Sequence, residues 1–282
     1  MEYKELTQED VFHQLPTRKE TGHKGDFGKI LLLCGSTGFT GAAALAAMGA
    51  LRSGAGLVFL GVPESIYSIE AVKLTEPVVF PVPDHNGTFS PDAEEMLLTK
   101  LQDKDAVLIG PGIGRSKGAF SAVKTVLRNF NGPVVVDADG INMIGQHKDM
   151  VRGRTSPTIL TPHEGEFQRL GGNLCRGREE AAVRMAKDLN GIILLKGHRT
   201  VITDGQSCYI NPTGNPGMAV GGSGDVLSGI IVSLLGQGLS PLQAAACGAW
   251  LHGAAGDICA REIGQYGMLP TDILHVLPRL MK

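Results

Sequence analysis

Short apolar runs recur along the chain at residues 30–34, 57–62, 106–109, 134–137, 158–160, 192–195 and 200–203. They are rich in Val, Ile and Leu and do not alternate with polar residues. That is the pattern of strands covered on both faces, as in a parallel sheet. Between most of them lie stretches of helical character: 41–52, 92–101, 117–130 and 178–189. Strand alternating with helix predicts an α/β fold with a mostly parallel sheet between helical layers. The last third departs from the alternation. Residues 226–235 and 241–261 read as two consecutive helices, the second rich in Ala. Neither a linker nor an internal repeat interrupts the pattern, so residues 1–282 are expected to form one domain.

Composition narrows the class. The 282 residues include 39 Gly, roughly twice the usual share of ~7%. The glycines have no collagen period, and 43% of the chain is hydrophobic, so fibrous and disordered readings fail. A net charge of −2 creates no field for nucleic acid or an anionic membrane. The apolar run at 226–235 is far shorter than the ~20 residues of a membrane span. The N-terminus mixes charges and lacks an apolar signal core. Five cysteines (Cys34, Cys175, Cys208, Cys247, Cys259) are scattered and never spaced as CxxC. Reduced thiols in a cytoplasmic protein are expected, without a zinc site.

Chemistry concentrates in a few segments. Residues 217–225 read Gly-Met-Ala-Val-Gly-Gly-Ser-Gly-Asp and run into a helix. Gly222, Ser223 and Gly224 can turn successive amides toward one point, and a helix start adds free N–H groups and a positive dipole end. Such a turn suits phosphate, and Asp225 beside it can take a proton from an attacking hydroxyl. The plainer reading makes Ser223 or Asp225 a helix cap. Residues 110–114 (Gly-Pro-Gly-Ile-Gly) follow a strand but break the GxGxxG spacing, and no GxxxxGK[ST] occurs.

Asp137 and Asp139 end a buried strand, where acids can hold Mg²⁺ or cap a turn. Thr161-Pro-His-Glu-Gly-Glu166 carries helix-entry chemistry, with His163 the residue that reading explains least. Lys196-Gly-His-Arg-Thr200 lies between two strands, as a polyphosphate contact or a solvated turn. Small residues at 40–47 allow close approach of a ligand or a neighbouring helix.

Taken in order, these segments resemble the ADP/ATP-dependent NAD(P)H-hydrate dehydratases, a branch of the ribokinase-like superfamily. The resemblance starts at Leu15-Pro-Thr-Arg18 and His23-Lys-Gly-Asp-Phe-Gly28. It closes with Asn215-Pro-Gly-Met218 running into Gly221-Gly-Ser-Gly-Asp225. It implies a three-layer α/β/α sandwich. It implies that Asp225 is the catalytic base, with Gly222, Ser223 and Gly224 as the anion hole. Lys196, Gly197, His198, Arg199, Thr200 and Gly224 would contact ADP or ATP. Ala43, Gly114, His163 and Asp225 would contact the hydrated dinucleotide, NAD(P)HX. Glu166 and Asp137 are the metal candidates for Mg²⁺, although His163 stands where many relatives keep an Asn.

The implied reaction is dehydration of (6S)-NAD(P)HX by transient phosphorylation of the ring hydroxyl. A vitamin-precursor or sugar kinase is the alternative. Residues 1–28 precede the first apolar run, too few for the epimerase domain of bifunctional relatives, so a separate epimerase is the expected functional partner. The resemblance also implies a homotetramer. At a helix start the Asp225 anion is expected to be stabilised, making it a weak base.

Overall fold

The computed structural model describes residues 3–281. Its strands are β1 (Tyr3–Glu5), β2 (Lys29–Leu33), β3 (Leu57–Pro63), β4 (Val78–Val82), β5 (Asp84–His85), β6 (Thr88–Phe89), β7 (Ala106–Ile109), β8 (Val134–Val136), β9 (Thr158–Leu160), β10 (Ile192–Leu195), β11 (Val201–Thr203) and β12 (Cys208–Ile210). Ten of them form one sheet in the order β1-β12-β11-β10-β9-β8-β7-β2-β3-β4, and β5 with β6 makes a small hairpin. Every pairing in the large sheet is parallel except β10–β11 and β11–β12.

All seven expected strands are present, within one or two residues of their predicted ends. Alternation along them divides the core. Ile30, Leu32, Leu60, Leu108 and Leu194 face the layer built from Thr40–Arg52, Ser223–Gly236, Pro241–Glu262 and Pro270–Leu280. Leu31, Leu33, Val107, Ile109 and Ile193 face the layer that holds Glu94–Leu101, Lys117–Asn129 and Arg178–Leu189. The sheet is thus covered on both faces, and the expected α/β/α sandwich is the one observed.

Chain order reverses beside β2. The chain moves from β2 outward through β3 to β4, then returns to place β7 on the other side of β2. A crevice opens at such a reversal, beyond the carboxyl ends of the strands. The loops after β2 and β7 meet there. Gly35 N–H donates to Pro111 O at 2.8 Å, and the Ser36 hydroxyl donates to Gly112 O at 2.7 Å.

Three departures from the sequence expectation have physical causes. The first strand is Tyr3–Glu5, well before residue 29, and it pairs in parallel with β12 at the sheet edge. Its three residues are exposed and polar, so no apolar pattern marks it. The helix Glu64–Lys73 buries only Ile66 and Glu70, too few for a helical stripe to show. The helix predicted at 226 starts at Ser223. Gly222 precedes it with φ +96°, and no side chain caps it, so neither Ser223 nor Asp225 is the cap.

Candidate functional site

The helix Ser223–Gly236 is buried along nearly its whole length. Its neighbour Thr40–Arg52 approaches so closely that a Cβ on Gly229 would lie 2.2 Å from Ala46 O, and one on Gly49 2.6 Å from Val226 O. The small residues at 40–47 therefore serve helix packing, and Ala43 itself is fully buried. This packing fixes where the helix begins. Gly222 takes a left-handed turn, φ +96°, that favours glycine, and a Cβ there would press on Leu45 Cδ1 at 2.4 Å. The Gly222 and Gly224 amides then have no hydrogen-bond partner among the described residues, while Ser223 N–H donates to Val220 O at 3.3 Å, and Asp225 follows in the first turn.

Four charged side chains gather at that point. Asp137, one residue past β8 and 1% exposed, accepts from Ala138 N–H and from Lys196 Nζ, each at 2.9 Å. Ala138 pays for this with a strained backbone, φ +51° and ψ −116°. Lys196 Nζ also lies 3.8 Å from Glu166 Oε2. A Cβ on Gly224 would sit 3.4 Å from Lys196 Nζ and 3.9 Å from Asp137 Oδ2, which places the helix start directly on this pair.

Burial pushes the Asp225 carboxyl up to about 7, with the Asp137 charge adding to it and Lys196 opposing. The expectation of a stabilised, weak base is thus overturned: loss of water outweighs the helix dipole. Burial alone would lower Lys196, but the Asp137 and Glu166 carboxylates more than offset it and hold the ammonium charged.

Beside this cluster opens a cavity of about 810 Å³, within the size range of small-ligand pockets. His163, Lys196, Gly197, His198, Arg199, Thr200, Ser223 and Gly224 all line it. Residues 196–200 form the β10–β11 turn, as their position between strands predicted. Its apolar wall includes Met218, Val220, Leu227 and Ala249.

Other candidates sit differently. His163 is the cap of the helix Glu164–Arg169: its Nδ1 accepts from Gly165 and Glu166 N–H, and Glu166 Oε2 accepts from His163 N–H. Glu166 thus has one oxygen engaged in the cap. Gly114 lies at the switch-point crevice, where its N–H donates to Asp139 Oδ2 at 3.1 Å. Asp139 pairs with Arg115 and stands apart from the Lys196 cluster.

The donor set bears on Mg²⁺. Among the described residues no three His, Cys, Asp or Glu converge to hold a metal. A lone carboxylate oxygen, Asp137 Oδ2 over Gly224, fits the way magnesium is held when phosphates and water supply the other ligands. The residues fit an ion brought in with a polyphosphate and do not fit an all-protein cage.

The sequence reading missed His252. It is 7% exposed, lines the cavity, and places Nε2 3.4 Å from Ser223 Oγ. Burial, helped by the Lys196 charge, lowers it to about 4, so the ring is neutral near pH 7. It lies in an Ala-rich helix with nothing nearby in sequence to single it out. Asp257, also missed, accepts from Gly214 N–H and Asn215 Nδ2, each at 2.9 Å, and pins the cavity wall.

The NAD(P)H-hydrate dehydratase family model matches residues 30–279. The chain belongs to the NAD(P)H-hydrate dehydratase family. It is 47% identical over 276 residues to the bifunctional NAD(P)H-hydrate repair enzyme Nnr of Moorella thermoacetica, covering 95% of this chain and 52% of that protein. It therefore spans about half the length of such bifunctional relatives. It is 35% identical to the ADP-dependent (S)-NAD(P)H-hydrate dehydratase of Bacillus subtilis, covering 98% of this chain and 97% of that one.

Among solved structures, an ADP/ATP-dependent NAD(P)H-hydrate dehydratase from Bacillus subtilis, co-crystallized with ATP/Mg²⁺, superposes with a TM-score of 0.84. Identity is 33%, with 99% of this chain and 98% of that one covered. A ribokinase-like superfamily protein of Enterococcus faecalis shares the fold at TM-score 0.87 and 28% identity, covering 99% and 95%.

Proposed function

We propose that this chain dehydrates (6S)-NAD(P)HX to NAD(P)H, consuming ADP or ATP. The observation that carries it is Asp225: a half-buried carboxylate with its acidity shifted to about 7, in the first turn of a helix whose Ser223 and Gly224 line one cavity with Lys196 and His198. A base with a pKa near the working pH moves protons best. The family membership supports the ring hydroxyl of hydrated NAD(P)H as the group it acts on.

Residues 196–200 and Gly224 hold the nucleotide phosphates, and the apolar wall near Met218 and Leu227 takes the base. The hydrated nicotinamide reaches Asp225 from the switch-point crevice, past Gly114 and His163. Asp225 accepts the proton of the ring hydroxyl as its oxygen attacks the terminal phosphorus. The bond from that phosphorus to the bridging oxygen breaks, so ADP leaves as AMP, or ATP as ADP. The amides of residues 222–224 stabilise charge on the transferring group. The ring nitrogen's lone pair then expels phosphate, and loss of the adjacent C–H proton restores the double bond.

Lys196 neutralises Asp137 and Glu166, so that Asp225 is not one of three unpaired anions. Magnesium, met by Asp137 and Glu166, would neutralise the nucleotide's phosphates. We place this activity in one domain of a cytoplasmic homotetramer, working alongside an NAD(P)H-hydrate epimerase. Among the described residues no helix is long and apolar enough to cross a membrane.

The test incubates the protein with hydrated NADH, ADP or ATP, and Mg²⁺. NADH absorbance and inorganic phosphate should rise together, one for one. A stable phosphoester without NADH would instead mark a small-molecule kinase, and no change in either signal would reject the reading.

A further inference from the structure

Arg178 takes no part in the chemistry above, yet it is wound into the nucleotide segment. It is the first residue of the helix Arg178–Leu189 and lies largely buried. Its Nη2 donates to Leu195 O at 3.0 Å and to Lys196 O at 2.8 Å. Its Nη1 donates to His198 O and, at 3.4 Å, to Arg199 O. Nε stands 3.1 Å from Glu164 Oε1, on the helix that His163 caps. One guanidinium therefore gathers carbonyls from the whole β10–β11 turn. No carboxylate accepts from either Nη among the described residues.

The consequence follows from the planarity of the peptide unit, in which C=O and N–H point in opposite directions. Drawing the His198 and Arg199 carbonyls to Arg178 turns the next amides, those of Arg199 and Thr200, the other way. Neither amide has a hydrogen-bond partner among the described residues, and both residues line the cavity. The turn is not one the chain adopts freely. Arg199 has φ +55° and Gly197 φ +144°, conformations that need an outside hold when the residue is not glycine. At Gly197 a Cβ would lie 2.7 Å from Arg178 Nη2, so glycine leaves the guanidinium its place.

We propose that Arg178 is a positioning residue that holds residues 196–200 so that the Arg199 and Thr200 amides meet the phosphates of the nucleotide. The inference rests on the ADP/ATP site proposed above.

Arg178→Lys, Arg178→Ala and Glu164→Gln separate this role from a merely structural one. ADP affinity is read by calorimetry, the KM of hydrated NADH by steady-state kinetics, and folding by the thermal midpoint. Lysine keeps the charge and loses the fork, so Arg178→Lys should weaken ADP binding by about tenfold or more. The KM of hydrated NADH should stay within about twofold, and the midpoint near that of the parent. Added guanidinium ion should restore ADP binding to Arg178→Ala and leave Arg178→Lys unchanged. Glu164→Gln should weaken ADP binding less than either. Unchanged ADP affinity in both Arg178 variants would overturn the inference. So would ADP affinity, substrate KM and midpoint all worsening together without rescue. A parent protein that fails to bind ADP would instead reject the nucleotide site itself.

Discussion

Two helices of similar length show how differently this fold uses its layers. Lys117–Asn129 is amphipathic: Ala119, Ala122, Val123 and Val126 face the sheet, while Lys124 and Arg128 face water. Ser223–Gly236 has no such wet side. It buries Val226, Leu227, Ile230, Ile231, Leu234 and even Ser228 and Ser233 between the sheet and two neighbouring helices. The first helix needs only to cover a face, and its register against the sheet is forgiving. The second must end at one place, because its first turn delivers Asp225 and the amides of residues 222–224. Close helix contact at Gly49 and Gly229 supplies that fixity. Positional accuracy in the buried helix is what the base proposed at Asp225 requires.

The largest effect is expected at Lys196. Alanine there leaves Asp137, Glu166 and Asp225 without their cation. Removing one partner of a buried ion pair costs about 3–5 kcal/mol, so Lys196→Ala should unfold at a markedly lower denaturant midpoint and bind ADP poorly. A midpoint like the parent's would show the cluster to be well hydrated.

Within the buried helix, Gly229→Ala drives a methyl into Ala46 O. It should destabilise by about 1–3 kcal/mol, the usual cost of overpacking, and lower kcat by displacing the helix start. Lys124→Ala on the amphipathic helix should change stability by less than about 0.5 kcal/mol and leave kcat alone. Equal effects at the two positions would remove the distinction.

Acidity sharpens the same contrast. Activity should rise with pH through about 7 as Asp225 loses its proton. Stability should move the opposite way. The folded chain holds this proton more tightly than the unfolded one, with 7 set against 3.8. Stability is therefore lost as pH rises from about 4 toward 7. Denaturant titrations across that range, with and without Asp225→Asn, would show the slope and its removal.

Much of this architecture is written in the hydrophobic pattern. Runs of Val, Ile and Leu at β2, β7, β8 and β10 are doubly covered strands and look it. The polar edge strand β1 is invisible because a three-residue edge buries nothing. At the site, Gly222, Ser223, Gly224, Asp225, Lys196 and Asp137 stand in segments whose composition is already odd, and the structure brings them together. What the sequence misreports is environment. It puts Asp225 at a helix start and so expects a stabilised anion, because burial by distant helices leaves no local mark. His252 and Arg178 were missed for the same reason. Each meets the site through a contact across 20 residues or more of chain.

Asp225→Asn tests directly whether Asp225 is a base made reactive by loss of water. Turnover of hydrated NADH with ADP should fall by about 10²–10⁴-fold, the share a general base supplies. ADP affinity should be retained, and the thermal midpoint at pH 8 should rise, since a half-buried charge has been removed. Near-parental turnover, or a loss of turnover accompanied by a lower midpoint, would contradict it.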